Sequence, residues 1–186
     1  VKDRNQTRDY IVNIDNVYAM AANSYMIRNS TAAVATSGAY WGAPPNATTF
    51  TVGNSANTND DSPMIAWCFH SVPGFSQFGW YRANTNADGP LVMLNFRPSF
   101  LIVKMLDTHT YEWVSSNTAS SPDNPADKYL TWNSNAAESS DSSGNFDLLS
   151  NGFKLRDASY NNNHPNYVQF LYWAMAETPF KYANAR

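Results

Sequence analysis

The chain has 186 residues, of which 43% are hydrophobic and 15% aromatic, so it is long and apolar enough to bury at least one core. Only 15% of the residues are charged, against about 25% in most soluble domains, and the formal net charge is −3. The sequence has no cluster of Lys and Arg to follow a phosphate backbone and no apolar run of the roughly 18 residues that a membrane helix needs, so it predicts neither nucleic-acid binding nor membrane insertion.

The first 75 residues contain several short segments with strand character. Apolar and polar residues alternate in YIVNI and TFTV, and MIAWCF is a continuous apolar run. DNVYAMAANSYMI comes nearest to a helical period, but we predict a strand and a loop there. The start, VKDRNQTRDY, has neither an initiator Met nor the plan of a secretion signal, so we expect a processed chain or part of a longer one.

The remainder of the chain has the same character. The apolar runs PLVML, FLIVKML and YVQFLYWAM and the alternating GFKLRD predict further strands, and turns rich in Asn, Asp, Gly and Pro separate them. Short strands joined by such turns are typical of antiparallel sandwiches and jelly rolls. We therefore predict an all-β fold.

Four blocks of the second half repeat blocks of the first half in the same order. The spacing of matched residues rises only from 102, between Val1 and Val103, to 106, between Trp67 and Trp173. Such a repeat indicates a structural unit that occurs twice. The matched blocks are VKDRNQTRDYIV with VKMLDTHTYEWV, SYMIRNSTAA with KYLTWNSNAA, TFTV with GFKL, and IAWCFHSVP with LYWAMAETP.

The repeat predicts two tandem, related antiparallel β-sandwich units of jelly-roll type. Residues 1–75 would form the first and residues 76–186 the second, with Trp67 and Trp173 in equivalent core positions. A lead-in, GFSQFGWYRANTNADGPLVMLNFRPSFLI, precedes the matched part of the second unit and has no counterpart in the first. We expect the missing strands to come from residues before Val1 in the parent protein or from a neighbouring subunit.

Candidate catalytic and metal-binding residues are few and lie in polar turns. The histidines lack the short spacing of metal ligands and predict surface loops, and the Asp residues suit turn hydrogen bonds. Cys68 is predicted to be a buried small apolar residue and Glu177 a structural cap. The sequence thus predicts no enzyme, no cofactor and no metal ion. The candidates considered are His70, His109, His164, Asp60, Asp61, Asp123 and Asp127.

Aromatic residues near turns are the strongest indication of binding. Trp41 in GAYWGAPP and Trp80–Tyr81 in GWYRANTNADG would stack on a sugar, fill a pocket on another subunit, or cover the edge of their own sandwich. Tyr182, in the terminal YANAR, suits a contact with a neighbouring subunit. These four aromatic residues are the predicted surface-binding or interface residues.

Longer motifs carry a family resemblance. KYLTWNSNAAESSDSSGNFDLLSNGFKL, FRPSFLIVK, YWAMAE and PFKYANAR resemble the repeated C-terminal domains of tail-fibre-like virion structural proteins of tailed bacteriophages. The resemblance implies a β-sandwich component of the virion surface, in a tail fibre, a head fibre or a capsid decoration. The expected partners are further copies in a homotrimer, other virion proteins and a host-surface glycan. The alternatives are a carbohydrate-binding module and a polysaccharide depolymerase, which would need a carboxylate pair.

Overall fold

The structure, a computed structural model, describes residues 1–13, 21, 23–107, 110–140, 145–158, 161–164, 166 and 168–177. The chain divides into unit 1, Val1–Phe69 with Thr108–Thr110, and unit 2, His70–Asp107 with Tyr111–Arg186. The division after Phe69 lies close to the predicted repeat boundary at residue 75. The extent of each repeat stays a prediction.

The prediction of an all-β fold is confirmed. No helix occurs in the described residues, and the paired strands are antiparallel. The described strands of unit 1 are β1 (Lys2–Asp3), β2 (Ile11–Val12), β3 (Ser24–Ile27), β4 (Ala35–Thr36), β5 (Trp41–Ala43), β6 (Thr51–Val52) and β7 (Met64–Ile65). Those of unit 2 are β8 (Ser76–Arg82), β9 (Leu91–Met93), β10 (Pro98–Met105), β11 (Val114–Asn117), β12 (Leu130–Thr131), β13 (Phe146–Leu149), β14 (Gly152–Leu155) and β15 (Gln169–Ala176).

The core of unit 2 takes side chains from two sheets. The larger sheet has the strand order β12-β11-β10-β15-β8, and the smaller has the order β13-β14-β9. Successive side chains of a strand point to opposite faces. On β15, Phe170, Tyr172 and Ala174 accordingly belong to the core, and the intervening Trp173 lies on the opposite face.

Phe153, on β14, joins the two sheets of unit 2. Its ring is fully buried and lies 5.9 Å from the ring of Tyr81 and 5.5 Å from that of Tyr172, both measured between centroids. Tyr81 and Tyr172 belong to the larger sheet, whereas Phe146, at 6.2 Å, belongs to the smaller. Edge-to-face contacts of this kind stabilise a core beyond the apolar area that they bury.

Unit 1 has a much smaller core. In the part of unit 1 that the structure describes, the buried apolar side chains are Ile11, Met26 and Trp41. The carboxylate of Asp3 is buried as well, and it accepts a hydrogen bond from its own loop and lies 3.6 Å from Nε of Arg8. A buried carboxylate needs such a partner because an unpaired buried charge is strongly destabilising.

The repeat seen in the sequence corresponds to shared strand pairing. Val1 and Ile11 exchange backbone hydrogen bonds of 2.8 and 3.1 Å, and Val103 pairs with Val114, so Ile11 and not Val12, its match in the sequence repeat, stands at the place of Val114. Further equivalent pairings are Ile11↔Ile27 and Val114↔Thr131, Lys2↔Ile65 and Lys104↔Leu171, Tyr25↔Ala35 and Tyr129↔Ser139, and Trp41↔Val52 and Phe146↔Leu155.

An asparagine fixes the same corner in each unit. Asn29 Oδ1 accepts a hydrogen bond from the Tyr10 N–H, and Asn133 Oδ1 accepts one from the Trp113 N–H, both at 2.9 Å. Each Asn also donates its amide to the acidic side chain that precedes the aromatic residue. The Asn side chain thus supplies, at the end of the strand pairing, the hydrogen bond that the backbone of a neighbouring strand would otherwise provide.

Two strands of unit 2 have no counterpart among the described strands of unit 1. Both β8 and β9 lie in the lead-in, and no described strand stands in their place beside β7 and β6. The equivalent of β15 is also short, because β7 has 2 residues where β15 has 8. Among its described strands, unit 1 therefore has an open edge, whereas the equivalent edge of unit 2 is paired with β8.

Two predictions about burial are wrong. Trp67 and Trp173 are equivalent but do not lie in a core, because alternation places the neighbouring Tyr172 inside and Trp173 on the outer face against Phe78. Trp67 is 56% exposed. Cys68 was expected to be buried but is exposed, because no described strand pairs with its segment.

Phe153→Ala is expected to lower the free energy of unfolding of unit 2 by about 3–5 kcal/mol, because it removes a fully buried ring and leaves a cavity. Phe50→Ala is the matched control: Phe50 is the equivalent residue of unit 1, but it is 42% exposed, so its loss is expected to matter much less. Differential scanning calorimetry measures both effects. Equal losses in the two variants would contradict the difference in packing.

Candidate interaction surface

Large apolar side chains are exposed at the end of unit 1. Ile65 is 37%, Trp67 56% and Phe69 57% exposed. They lie within residues 65–69, where the intervening Ala66 and Cys68 are exposed as well. Grouped exposed side chains of this size are typical of an interaction surface rather than of a solvated end.

An open cleft of about 690 Å³ lies beside this segment in unit 1. It combines aromatic rings, amides and cationic groups, the side chains that proteins use to bind polar ligands with flat apolar faces. This Trp67 cleft is lined by Lys2, Asp3, Arg4, Asn5, Gln6, Thr7, Arg8, Tyr10, Asn29, Ile65 and Trp67.

Contacts within unit 1 hold several of the charged groups around this cleft. Lys2 Nζ lies 5.4 Å from the centroid of the Tyr10 ring, and the guanidinium carbon of Arg28 lies 4.1 Å from it. Arg8 Nη2 is 2.7 Å from a carboxylate oxygen of Asp60. Cations over an aromatic face and close ion pairs both fix long side chains, so the walls of the cleft are largely preorganised.

The equivalent lysine of unit 2 is buried instead of facing a cleft. Lys104 is fully buried, its Nζ lies 6.0 Å from the centroid of the Trp113 ring, and it donates to the carbonyl oxygen of Tyr111. Burial lowers the pKa of Lys104 from 10.5 to about 8, although the charge of Glu112 acts in the opposite direction. Both units thus keep a lysine beside an aromatic ring, which favours a structural role for the pair.

Of the three predicted surface aromatics that the structure describes, Trp80 alone is exposed, at 42%. The prediction is wrong for Trp41, which is 7% exposed and packs edge-on against Phe50, and for Tyr81, which is 5% exposed. Tyr81 follows Trp80 on β8, so alternation directs it into the core, where its hydroxyl donates to the Asn162 carbonyl at 2.7 Å. Tyr182 lies outside the described residues.

An aromatic layer covers part of the outer face of the larger sheet of unit 2. Trp173 lies 5.4 Å from Phe78, 6.2 Å from Phe100 and 6.2 Å from Trp132, measured between ring centroids. Trp80 is on the same face of β8 as Phe78 because two residues separate successive side chains on one face. This layer extends the apolar surface of unit 2 beyond its core.

The predicted histidine positions are mixed. His70 is exposed as expected, whereas His109 lies outside the described residues. The prediction of a surface loop is wrong for His164, which is 2% exposed: its Nδ1 accepts a hydrogen bond from the Asn166 N–H, and its ring packs 5.4 Å from that of Tyr111. The neighbouring Asn162 and Asn163 are buried as well, and the Asn163 amide donates to the Asp157 carbonyl at 2.8 Å.

The acidic candidates occupy separate places in the structure. Asp60 pairs with Arg8, as described above, and Asp127 accepts a hydrogen bond from the Ser121 hydroxyl at 3.3 Å. Asp61 and Asp123 are exposed. Glu177 lies 3.3 Å from Nη1 of Arg97, and its N–H donates to the Arg97 carbonyl at 2.9 Å.

No group of three or more His, Cys, Asp or Glu side chains converges on a metal-sized site among the residues described. Within the same part of the chain, no helix has the length and apolar character needed to cross a bilayer.

The Trp67 cleft was missed by reasoning from residue types near turns. Tyr10 and Trp67 lie in predicted strands, so proximity to a turn did not select them. The useful signal was the repeat itself: residues 1–75 hold no counterpart of the lead-in, and side chains that a lead-in would cover are exposed in unit 1.

A model of the family described as "Domain of unknown function (DUF7483)" matches residues 1–179 of the chain. No curated protein and no solved structure matches the chain.

Lys104 is expected to make the stability of unit 2 depend on pH. Its pKa is about 8 in the folded chain and near 10.5 when unfolded, so the unfolded chain binds more protons between these values. The stability of unit 2 should therefore rise as pH increases from 8 toward 10. Above pH 10, the raised pKa values of Tyr81 and Tyr172 act in the opposite direction.

The effect is measured by thermal unfolding of the wild-type chain and of Lys104→Met across pH 7–10, the range set by these pKa values. The variant is expected to lose the increase of stability with pH. Lys2→Met is the matched control, because Lys2 is equivalent but only partly buried, and it should keep the rise. A rise that persists in Lys104→Met would show that another group causes it.

Proposed function

The chain belongs to the DUF7483 family, a domain of unknown function, and we propose that it is a non-enzymatic structural protein on the surface of a bacteriophage particle. The observation that carries the proposal is the exposure of large apolar side chains on both units. Such side chains favour burial between subunits, as in a fibre or a capsid decoration. They are Phe50, Ile65, Trp67, Phe69, Trp80, Leu91, Met93 and Leu130.

The way in which turns are held supports an extracellular particle component. The Asn163 amide is buried: its Oδ1 accepts from Asn84 N–H at 2.9 Å, and its Nδ2 donates to the carbonyls of Asn86 at 2.7 Å and Asp157 at 2.8 Å. One neutral side chain thus ties the β8–β9 loop to the β14–β15 loop. Salt screens neutral hydrogen bonds less than surface ion pairs, so such turns keep their strength when ionic conditions vary.

The proposal includes a finer fold and an assembly state. We propose that each unit is a jelly-roll-like β-sandwich and that the subunits form a homotrimer together with other virion proteins. The strand pairings shared by the two units support a common fold for the tandem units. Closed symmetric assembly would cover the same apolar side chains on every subunit. The motifs KYLTWNSNAA and FRPSFLIVK, which resemble phage virion proteins, support the placement on a phage particle.

A second candidate is carbohydrate binding at the Trp67 cleft. The exposed Trp67 ring could stack on the apolar face of a sugar, and the side chains of Asn5, Gln6 and Asn29 line the same cleft and can exchange hydrogen bonds with hydroxyl groups. In a virion protein this cleft would contact a host-surface glycan. At Trp67 the two candidates compete, because one ring cannot be buried between subunits and stack on a sugar at the same time.

Trp80→Ser is expected to weaken self-association of the full chain without lowering its thermal midpoint, because Trp80 is 42% exposed. Mass photometry at micromolar concentration measures the association. The adjacent Tyr81→Ser is the matched control: it should lower the thermal midpoint, because Tyr81 belongs to the core. A monomeric wild-type chain under these conditions would contradict the assembly part of the proposal.

The particle location is tested with antibodies against the chain. Immunogold electron microscopy of purified particles of the encoding phage is expected to label their surface. Particles that lack the chain by both labelling and mass spectrometry would overturn the virion assignment.

Trp67→Ala is expected to abolish glycan binding on an array while thermal stability stays unchanged, because the ring is 56% exposed. Trp41→Ala is the contrasting variant: Trp41 is 7% exposed, so its loss should lower the thermal midpoint. An array on which the wild-type chain binds no glycan would remove this second candidate.

A further inference from the structure

We infer that the open edge of unit 1, residues 63–69, binds an added β-strand that completes the unit as β8 completes unit 2. The occupant is an extended peptide segment that runs antiparallel to this edge and carries a large apolar side chain at its centre. This inference concerns the strand that unit 1 accepts, and it holds whether or not the chain is a virion protein.

Unit 2 shows what covers the equivalent edge. There, β8 pairs with β15 over seven residues, from Ser76 opposite Met175 to Arg82 opposite Gln169. The repeat places residues 63–69 at the positions of Gln169 to Met175. No described strand pairs with this side of unit 1, and an unpaired strand edge is a ready acceptor for a further strand.

The side chains exposed in unit 1 are those whose equivalents β8 covers in unit 2. Trp173 stacks on Phe78 of β8, whereas the equivalent Trp67 is 56% exposed. The Phe153 ring packs against Tyr81 of β8 and is fully buried, whereas the equivalent Phe50 is 42% exposed. One strand with aromatic residues on both faces would therefore cover both exposed rings.

The residue at the centre of the open edge, Ala66, determines which side chain the added strand should carry opposite it. In unit 2, Gly79 lies opposite Tyr172, and a Cβ at Gly79 would come within 2.5 Å of the Tyr172 hydroxyl oxygen. Glycine is thus required there, because the tyrosine fills the space. In unit 1 the residue equivalent to Tyr172 is Ala66, which leaves that space empty. The added strand should accordingly carry a large apolar side chain opposite Ala66, where it would also reach toward Phe50.

A folded second copy of the chain fits this place poorly. One edge of its β8 is already paired with β15, and Gly79 is too small to fill the space beside Ala66. We therefore commit to a separate peptide segment with the alternation of β8 and a large central residue.

The test uses the full chain and fluorescent peptides with the sequence of residues 74–84, in which position 79 is the natural Gly or carries Gly79→Tyr. Fluorescence anisotropy measures binding. The Gly79→Tyr peptide is expected to bind the wild-type chain about tenfold or more tightly than the natural one, because it buries an additional aromatic ring. A peptide with Phe78→Pro is the control, since proline cannot complete the ladder of backbone hydrogen bonds.

The chain variant Ala66→Tyr rebuilds the arrangement of unit 2 and should reverse the preference, so that the natural Gly79 peptide binds more tightly. Ala66 is exposed, so this variant should fold, and circular dichroism verifies that it does. Absence of binding by both peptides at about 1 mM, a level at which even weak complexes form, would overturn the inference. So would a preference that Ala66→Tyr leaves unchanged, or a dimer of the chain that Trp67→Ser abolishes and the peptides do not affect.

Discussion

A strand inside a sheet must find hydrogen-bond partners along both of its edges, and this requirement decides how complete each unit is. β15 has β10 on one side and β8 on the other. Its equivalent in unit 1, β7, pairs over two residues with β1 alone among the described strands. Backbone groups without partners cannot be buried without a large penalty, so the segment after β7 stays in solvent together with its side chains. The large core of unit 2 and the exposed rings of unit 1 follow from this one difference.

Much of the correspondence between the strands of the two units could be predicted from the sequence, because the repeat preserves spacing within three of its four blocks. The first block is the exception: Val1 pairs with Ile11 and Val103 pairs with Val114, one residue further along, so Ile11 and not Val12 stands at the place of Val114. The face of each side chain could not be predicted as well. LYWAM is apolar at every position, and a shift of one residue exchanges the two faces of a strand. Nothing in the local pattern separates Tyr172, in the core, from Trp173, outside it.

The candidate site shows the same limit and also a signal that was present in the sequence. Trp80 and Tyr81 are adjacent, and composition near a turn predicted exposure for both, although only one side chain of such a pair can face solvent in a half-buried strand. For Trp67 the inference from its equivalence to Trp173 was incomplete, and for Cys68 the apolar neighbours Trp67 and Phe69 did not indicate burial, because all three side chains are exposed. Residues that pack under the lead-in of the second unit cannot be buried in the first unless something replaces the lead-in.

The equivalent lysines of the two units, Lys2 and Lys104, indicate whether a charged group would oppose the covering of unit 1. Burying an ammonium group is costly unless it keeps hydrogen bonds and a favourable electrostatic neighbour. Lys104 meets this condition in unit 2, where it donates to a carbonyl and lies near Trp113. Lys2 already has the same kinds of contact, because its Nζ donates to the Gln6 carbonyl and lies near the Tyr10 ring. If covering unit 1 removes water from Lys2, the protein contacts of this lysine are already in place, so Lys2 is no barrier to completing the unit.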